Sequence, residues 1–261
     1  MKIDVYRLTC LTNLHMGSGD VNYNVIDLEV ERDPVLGEPT MNATGVKGAL
    51  RDYFEDTGMD KKVVNRIFGT KAEKGVETTA GTYKFFNADL VARPVRVSDG
   101  SCSYAMAASW DLLENLMRKL TAFGVEGCLP KYDLEKLKNT NEIIGGGDVS
   151  GVEGKDVSGG NQSGFIKTLL GTDNWVVMDG KTLSEISLPV QAHNVLENGK
   201  SQNLWYEELV PHESVFLLMI AYPGDDNELN SYLNGRVVQF GANASTGCGY
   251  VKMEKLPIGG N

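Results

Sequence analysis

The alternation of apolar and polar residues along the chain predicts several strands and a few amphipathic helices. Residues 2–12, KIDVYRLTCLT, alternate well enough for a first strand. The unbroken apolar run 215–222, VFLLMIAY, is typical of a strand that is buried on both faces. Helical spacing is clearest in residues 109–123, which precede Gly124. Its apolar stripe comprises Leu112, Leu113, Leu116, Met117, Leu120 and Phe123, and we expect this stripe to lie in the core.

Shorter signals complete the predicted order of elements. Thr44 is the expected N-cap of a helix that extends to Phe54, with Val46 and Leu50 on its inner face. The turn-forming Glu197-Asn-Gly-Lys200 joins two strands, 186–193 and 204–210, into a long hairpin. Further predicted elements are helices at 60–68 and 226–233 and strands at 83–97, 165–170, 175–178, 237–240 and 250–255. Mixed strands and helices with many non-local pairings indicate an α+β fold around an antiparallel sheet.

Two glycine-rich segments interrupt this pattern. Residues 145–164 contain eight glycines in twenty positions, which predicts a mobile loop, either an insertion or a seam between two halves. Residues 241–249, GANASTGCG, are either a tight loop between strands or a nest of backbone amides. The second interpretation would allow phosphate binding without positive side chains.

Composition limits the classes of protein that this chain can represent. Its 261 residues include 41% apolar residues, enough for a substantial core. The longest apolar run is far shorter than the roughly 20 residues of a membrane-spanning helix, so we expect a soluble, cytoplasmic protein without a membrane partner. The four cysteines lie far apart, which argues against a zinc site or a disulfide framework. A net charge of −10 is unusual for a protein that binds nucleic acid alone, because such proteins normally carry a basic face.

The segment LHMGSGDVNYNVID, residues 14–27, carries the most suggestive chemistry. Its G-S-G lacks the third small position of a dinucleotide-binding loop, and the chain contains no G-K-S or G-K-T. Asp27 interrupts an apolar strand start, so it is either a turn-stabilising residue or a placed functional group. The neighbouring carboxylates could collect Mg²⁺ or form a solvated face; they are Asp20, Asp27, Glu29, Glu31 and Asp33.

Several motifs follow one another in an order that resembles a known family. They are L-H-M-G-S-G, V-I-D-L-E-V-E-R-D-P, G-V-K-G-A-L-R-D, I-F-G-T, N-A-D-L, P-V-Q-A-H-N, N-L-W-Y-E-E-L-V-P and G-A-N-A-S-T-G-C-G. Over most of its length the chain resembles the repeat-associated mysterious protein (RAMP) superfamily, and within it the backbone subunit of type III-B CRISPR effector (Cmr) complexes. The resemblance implies a single domain over residues 1–261. Its fold would be a modified ferredoxin-like (RNA-recognition-motif) palm with inserted segments and a β-hairpin thumb at 188–210.

The same resemblance implies a function and a set of partners. Copies of such subunits stack along a CRISPR guide RNA together with other Cmr subunits. Each thumb displaces one nucleotide of the guide–target duplex, and complementary target RNA is cut at regular intervals, one cut per subunit. The cut depends on a divalent metal ion, Mg²⁺ or Mn²⁺. A displaced nucleotide leaves its 2′-hydroxyl free to approach the adjacent phosphodiester in line.

Individual residues inherit roles from this resemblance. Asp27 would be the catalytic residue, either binding the metal ion or helping to deprotonate the 2′-hydroxyl, and His15 would support it. Tyr206, Glu207 and Glu208 are further catalytic candidates that could position groups or shuttle protons. The expected RNA-binding residues are Lys47 and Arg51 on the helix facing the guide, His193 and Asn194 on the thumb, and Gly241, Asn243, Ser245, Thr246 and Gly247 in the glycine-rich loop.

Two departures from the family pattern lower the positive charge near the expected RNA contacts. His193 replaces the usual basic residue of the thumb, and Cys248 replaces the basic residue often found in S-T-G-K-G. We therefore expect the isolated subunit to bind RNA weakly. Alternative interpretations are a guide-binding scaffold in which Asp27 only stabilises its loop, a guide-processing endoribonuclease with His15 as base, and a small-molecule enzyme that uses the glycine loops.

Overall fold

The structure is a computed structural model that describes residues 1–19, 25–71, 78–97, 103–130, 143–144, 148–149, 161–172, 174–224 and 228–257. Within these ranges the strands are β1 Lys2–Cys10, β2 Thr40–Met41, β3 Lys84–Phe85, β4 Ala88–Arg96, β5 Tyr104–Ser109, β6 Ile143–Ile144, β7 Asp148–Val149, β8 Trp175–Met178, β9 Val190–Glu197, β10 Lys200–Glu208, β11 Val215–Tyr222, β12 Arg236–Gln239 and β13 Tyr250–Lys255. The helices are α1 Ala43–Asp56, α2 Lys61–Phe68, α3 Trp110–Ala122, α4 Asn161–Leu170, α5 Gly180–Glu185 and α6 Glu228–Leu233.

One nine-stranded sheet forms the centre of the molecule. Its main path runs β12-β13-β1-β11-β4-β5-β8, with β2 paired to β4 and β3 paired to β11. The pairing of β5 with β8 is parallel, whereas the other pairings in this sheet are antiparallel. The architecture is therefore a mixed α/β fold with a large sheet and few helices. The ferredoxin-like description of the palm stays a prediction.

The sheet is covered on both faces, as the apolar run of β11 predicts. Alternate residues of β11 enter two separate core clusters, Phe216, Leu218 and Ile220 on one side and Val215, Leu217 and Met219 on the other. Helices α1 and α2 contribute to the first cluster, while α3 and α4 contribute most of their buried residues to the second. All eight side chains of β11 are buried, which makes this strand the axis of the core.

A hairpin stands apart from the central sheet. Among the described residues, strands β9 and β10 form a two-stranded sheet of their own, and most of their residues are exposed. Asn198 and Gly199 join them with φ of 52° and 77°, the left-handed geometry that a two-residue turn requires. The hairpin lies inside the segment predicted as the thumb, residues 188–210.

Several predicted elements differ from the structure. Residues 165–170 are helical, within α4, rather than a strand. Strand β5 was not predicted. Asn42, not Thr44, is the N-cap of α1, because the Asn42 side chain accepts a hydrogen bond from the Thr44 amide.

One further prediction needs correction. Phe123 is 45% exposed although the predicted stripe placed it in the core; it packs edge-on against Phe86 instead. The predicted loop at 145–164 contains β7 and the first residues of α4. The rest of that segment lies outside the described residues.

Candidate RNA-cleavage site

The root of the hairpin is where the predicted catalytic residues meet. Two loop segments lie against it: Leu14 bridges to Val210, and Leu28 bridges to Glu207. These contacts join positions about 180 residues or more apart in the sequence. The loop at 241–249 contacts the same root through Asn243, which donates to Glu207. The site therefore combines three segments that local sequence patterns do not connect.

Asp27 is fixed to the outer edge of β10. Its Oδ2 accepts a hydrogen bond from the Tyr206 amide at 2.8 Å, and its own amide donates to the Tyr206 carbonyl at 3.1 Å. The Asp27 side chain is half-buried, and Tyr206 is 37% exposed. One oxygen of the Asp27 carboxylate is therefore occupied by the protein. The other makes no hydrogen bond to a residue that the structure describes.

Glu207 is a buried carboxylate at the centre of a polar cluster. It is 2% exposed, and both of its oxygens accept from Asn243 Nδ2, at 2.9 and 2.8 Å. His193 Nε2 lies 2.8 Å from Oε2, without the alignment of a hydrogen bond, so this contact is electrostatic. His15 Nε2 lies 3.5 Å from Oε1. We call Glu207, Asn243, His193 and His15 the root cluster.

His15 is part of the protein interior rather than of an RNA-facing surface. It is 4% exposed, and its Nδ1 lies 2.8 Å from the Glu208 carbonyl oxygen. A carbonyl can only accept, so Nδ1 carries a proton. The His15 carbonyl in turn accepts from the Ala242 amide at 2.9 Å. With both ring nitrogens facing protein groups, His15 can position its neighbours but does not reach a substrate.

Glu208 also serves the local structure. Its Oε1 accepts from Arg32 Nη2 at 2.5 Å, and its Oε2 accepts from the Val30 amide at 3.2 Å. Its backbone amide donates to the Leu28 carbonyl at 2.9 Å. At 5% exposure it is a structural carboxylate that holds the 28–32 segment against the hairpin.

A cavity of about 300 Å³ opens beside the root cluster. It is lined by Thr12, Asn13, Gln191, His193, Glu207, Leu209, Asn243, Thr246, Gly247 and Cys248. Burial raises the pKa of the Cys248 thiol, so this residue is neutral at physiological pH. A larger cleft of about 630 Å³ lies near Pro94, Pro189 and Pro211, but no member of the root cluster lines it. The smaller cavity is therefore the better candidate for chemistry.

The predicted guide-facing residues on α1 have different environments. The Arg51 guanidinium donates to Glu55 Oε1, to the Gly69 carbonyl and to Asn65 Oδ1, at 2.8, 2.8 and 3.1 Å. All three contacts lie within the protein, so Arg51 connects α1 to α2, and its role as an RNA contact stays a prediction. Lys47 is half-buried and makes no ion pair with a described residue.

Most backbone amides of the glycine-rich loop donate to carbonyls of the protein, so few remain for an anion. Gly241, Asn243 and Gly247 adopt φ of 75°, 62° and 81°. The amides of residues 242 and 246–249 donate to backbone carbonyls of the protein. Within this described loop, the amides of 241 and 243–245 donate to no described acceptor, and the side chains of Ser245 and Thr246 are exposed. The set of donors that could meet a phosphate is thus small and uncharged.

The hairpin carries the remaining predicted RNA contacts. Asn194 is exposed, and its Oδ1 accepts from Ser201 Oγ at 2.7 Å. His193 stacks on Trp205, with ring centroids 5.1 Å apart and planes 10° apart. The sequence analysis missed Trp205 and Arg32. The hairpin register could have indicated Trp205, because it places this residue directly opposite His193.

The residues at the root fit a divalent cation only as a partial site. No group of three or more His, Cys, Asp or Glu side chains is arranged to hold an ion in the ranges that the structure covers. Asp27 offers one carboxylate oxygen. Mg²⁺ is commonly held by one or two carboxylates, with substrate phosphates and water completing six ligands. Asp27 therefore fits a metal ion that RNA completes.

With this geometry in place, comparison with known proteins assigns the class. The model of the RAMP superfamily matches residues 7–252, and the chain belongs to that superfamily. Among its relatives is the CRISPR system Cmr endoribonuclease Cmr4 of Pyrococcus furiosus, 26% identical over 100% of this chain and 98% of that protein.

Solved structures share the fold. Oligomeric Cmr4 from Pyrococcus furiosus matches with a TM-score of 0.71 and 21% identity, over 100% of both chains. A chain of the type III-B Cmr-beta complex bound to cognate target RNA matches with a TM-score of 0.70 and 18% identity, over 98% of both chains. The part of the chain that the structure describes contains no helix long and apolar enough to cross a membrane.

Proposed function

We propose that this chain is the target-RNA-cleaving backbone subunit of a type III-B CRISPR ribonucleoprotein. Copies would lie along guide RNA with other Cmr subunits, and each copy would cut complementary RNA once with Mg²⁺ or Mn²⁺. Membership of the RAMP superfamily and the relative named as an endoribonuclease support this proposal. The observation that carries it is the placement of Asp27 on the root of an exposed hairpin, where its carboxylate is held by the Tyr206 amide.

The composition of the hairpin favours insertion between bases over electrostatic binding of phosphates. Lys200 is the only Lys or Arg between residues 190 and 208. Apolar side chains are exposed along it instead, among them Leu196, Leu204 and Tyr206 at 64%, 52% and 37%. Such a surface favours contact with base faces over contact with phosphates. Inserted between base pairs, it would splay one target nucleotide and bring its 2′-hydroxyl in line with the neighbouring phosphodiester.

Asp27 would hold the metal ion at that phosphodiester. A bound divalent cation supplies charge neutralisation at the phosphate oxygens as the phosphorus is attacked. The contribution of this chain is to fix the carboxylate in one orientation. The Tyr206 amide holds Oδ2, and Oδ1 would bind the metal ion. His15, Glu207 and Glu208 would hold the hairpin and the loop in place.

A non-cleaving guide-binding scaffold is the second candidate. The hydrogen bond from the Tyr206 amide to Asp27 favours it, since this bond explains a carboxylate at this position without any chemistry. The two functions differ in what they require of Asp27. A scaffold needs only the hydrogen-bond acceptor, whereas cleavage needs the negative charge.

The decisive experiment compares Asp27→Asn with Asp27→Ala in the complex assembled on guide RNA. Labelled complementary RNA and Mg²⁺ are added, and both the cleavage products and target binding are measured. Asn keeps an oxygen that can accept from the Tyr206 amide but removes the charge. Asp52→Asn is the matched control, because Asp52 is an exposed acid on α1.

Loss of the regularly spaced products in Asp27→Asn, with target binding retained, supports the nuclease. Activity of Asp27→Asn close to that of the wild type, with loss only in Asp27→Ala, supports the scaffold interpretation of Asp27 and refutes its catalytic role. Absence of cleavage by the wild-type complex itself would refute the proposed nuclease function.

A further inference from the structure

His193 is held in one orientation by two contacts at the edge of the cavity. Its ring stacks on Trp205 with an interplanar angle of 10°, and its Nε2 lies 2.8 Å from Glu207 Oε2. The side chain is 23% exposed and lines the cavity. An imidazole used only as a surface contact would not need a buried carboxylate beside it.

The carboxylate itself is fixed. Asn243 Nδ2 bonds both oxygens of Glu207, and His15 Nε2 lies on the far side at 3.5 Å. A buried carboxylate at one ring nitrogen orients an imidazole and offsets the positive charge that the ring gains with a second proton. Alignment of such hydrogen bonds is commonly poor before substrate binds. The Glu207–His193 arrangement therefore has the form of a carboxylate–imidazole dyad.

The second ring nitrogen, Nδ1, is the one left for substrate. It makes no hydrogen bond to a described residue, whereas Nε2 is buried. The other groups that face the ring from neighbouring elements are Trp205 and the neutral lining of the cavity, including Gln191 and Cys248. Glu207, with His15 behind it, is thus the only charged neighbour among the described residues around this ring.

Asp27 and the dyad lie on opposite edges of β10. Asp27 bonds one edge of β10 at Tyr206, and β9, which carries His193, pairs with the opposite edge. Two strand spacings, about 10 Å, separate the two backbones. A joint role in cleavage requires one target phosphodiester to lie across the hairpin root between these two positions.

We propose that His193 is the general base of target-RNA cleavage in this chain, an assignment that rests on the proposed nuclease function. His193 Nδ1 takes the proton of the target 2′-hydroxyl, and Glu207 holds Nε2. The 2′-oxygen forms a bond to phosphorus, and the bond from phosphorus to the 5′-oxygen breaks. The leaving 5′-oxygen takes a proton from water, giving a 2′,3′-cyclic phosphate and a 5′-hydroxyl. The imidazolium then returns its proton to solvent.

The test measures single-turnover cleavage from about pH 5.5 to 8.5 in the complex assembled with guide RNA and Mg²⁺. The variants are His193→Gln and His193→Arg, with His212→Gln as the matched control. His212 is exposed on the strand connection after β10 and lies outside the root cluster. Arginine restores a basic side chain that can contact phosphate, but it cannot give up a proton at these pH values. Target binding is measured for every variant.

Four results are expected if His193 is the general base. The wild-type rate rises with pH and then levels off, as expected for a reaction that needs an unprotonated base. Both His193 variants lose roughly 100-fold or more in rate, lose this dependence on pH, and still bind target. The products carry a cyclic phosphate, and His212→Gln behaves like the wild type.

Two results would overturn the assignment. If His193→Arg retains the wild-type rate, the position acts through charge; if His193→Gln retains it, the ring has no chemical role. Either result leaves the proposed nuclease intact as long as Asp27→Asn is inactive. A wild-type complex that binds target without cutting it refutes both proposals.

Discussion

Gly241 and Gly247 form a matched pair that tests whether the glycine-rich loop is locked to His15. Their φ angles are similar, 75° and 81°, so alanine meets the same left-handed backbone at both positions. Their surroundings differ. A Cβ on Gly241 would lie 2.1 Å from the His15 carbonyl oxygen, whereas a Cβ on Gly247 would have nothing within 4 Å.

The difference in contacts sets the expected difference in stability. Alanine in the left-handed region costs about 1 to 2 kcal/mol, and we expect Gly247→Ala to lose about that amount or slightly less. Gly241→Ala pays the same cost and must also separate two backbone segments, breaking the bond from the Ala242 amide to the His15 carbonyl. A buried acceptor left without its donor costs about 1 to 3 kcal/mol more. The two variants should therefore differ by roughly 2 kcal/mol.

Thermal unfolding of the purified subunit measures this difference. For a chain of this length, 1 kcal/mol corresponds to about 2 to 4 °C in Tm, so Gly241→Ala should melt roughly 4 to 8 °C below Gly247→Ala. Urea titration provides an independent value of the free energy of unfolding. Equal destabilisation of the two variants, within about 0.5 kcal/mol, would refute the close packing of the loop against His15.

Three further predictions concern charged groups. Glu38→Ala should cost about 3 to 5 kcal/mol in denaturant unfolding, because Glu38 forms an ion pair with Arg93 in which both side chains are at least 96% buried; a loss below about 1 kcal/mol would contradict this. Arg51→Ala should lower Tm without a specific loss of guide RNA, whereas Lys47→Ala should weaken guide retention and leave Tm unchanged. The opposite pattern would make Lys47 the structural residue and Arg51 the guide-binding residue. Burial raises the pKa of Glu254, but hydrogen bonds from its basic neighbours outweigh it and hold that pKa below the usual range. The stabilising contribution of Glu254 is therefore fully present above its pKa in the unfolded chain, about 4.3, and is lost as pH falls through its lower pKa in the folded protein. Glu254→Gln should therefore reduce the loss of stability on the acid side of a curve of unfolding free energy against pH. An unchanged acid side of that curve would refute this.

Local sequence signals predicted those elements whose stabilising partners are nearby in the chain. The stripe of α3 and the Asn-Gly turn of the hairpin are two such cases, and the structure has both. The error at 165–170 arises because a short apolar run fits a strand or a helix equally well. Its buried members, Phe165, Ile166, Leu169 and Leu170, follow helical spacing, but the glycines before them obscure the start of the helix.

The functional site was predictable only in part, for a related reason. Asp27 and Glu207 could be named individually because the family motifs carry them. The contact from Asn243 to Glu207 spans 36 residues, and that from His15 to the Glu208 carbonyl spans 193. No periodicity connects such positions. The burial of His15 was not predictable for this reason, since it depends on segments that are distant in the sequence, and its supporting catalytic role stays a prediction.

The pairing of the buried carboxylates at the site explains how an acidic chain could still bind RNA. Glu208 is neutralised by Arg32, and Glu207 faces Asn243 and two histidines, so neither projects an unbalanced charge to solvent. The unbonded donors of the described 241–249 loop are backbone amides and the Ser245 hydroxyl, which bind phosphate without releasing many counterions. With the proposed function, the net charge of −10 would disfavour non-specific nucleic acid and leave binding to depend on guide geometry and on neighbouring subunits.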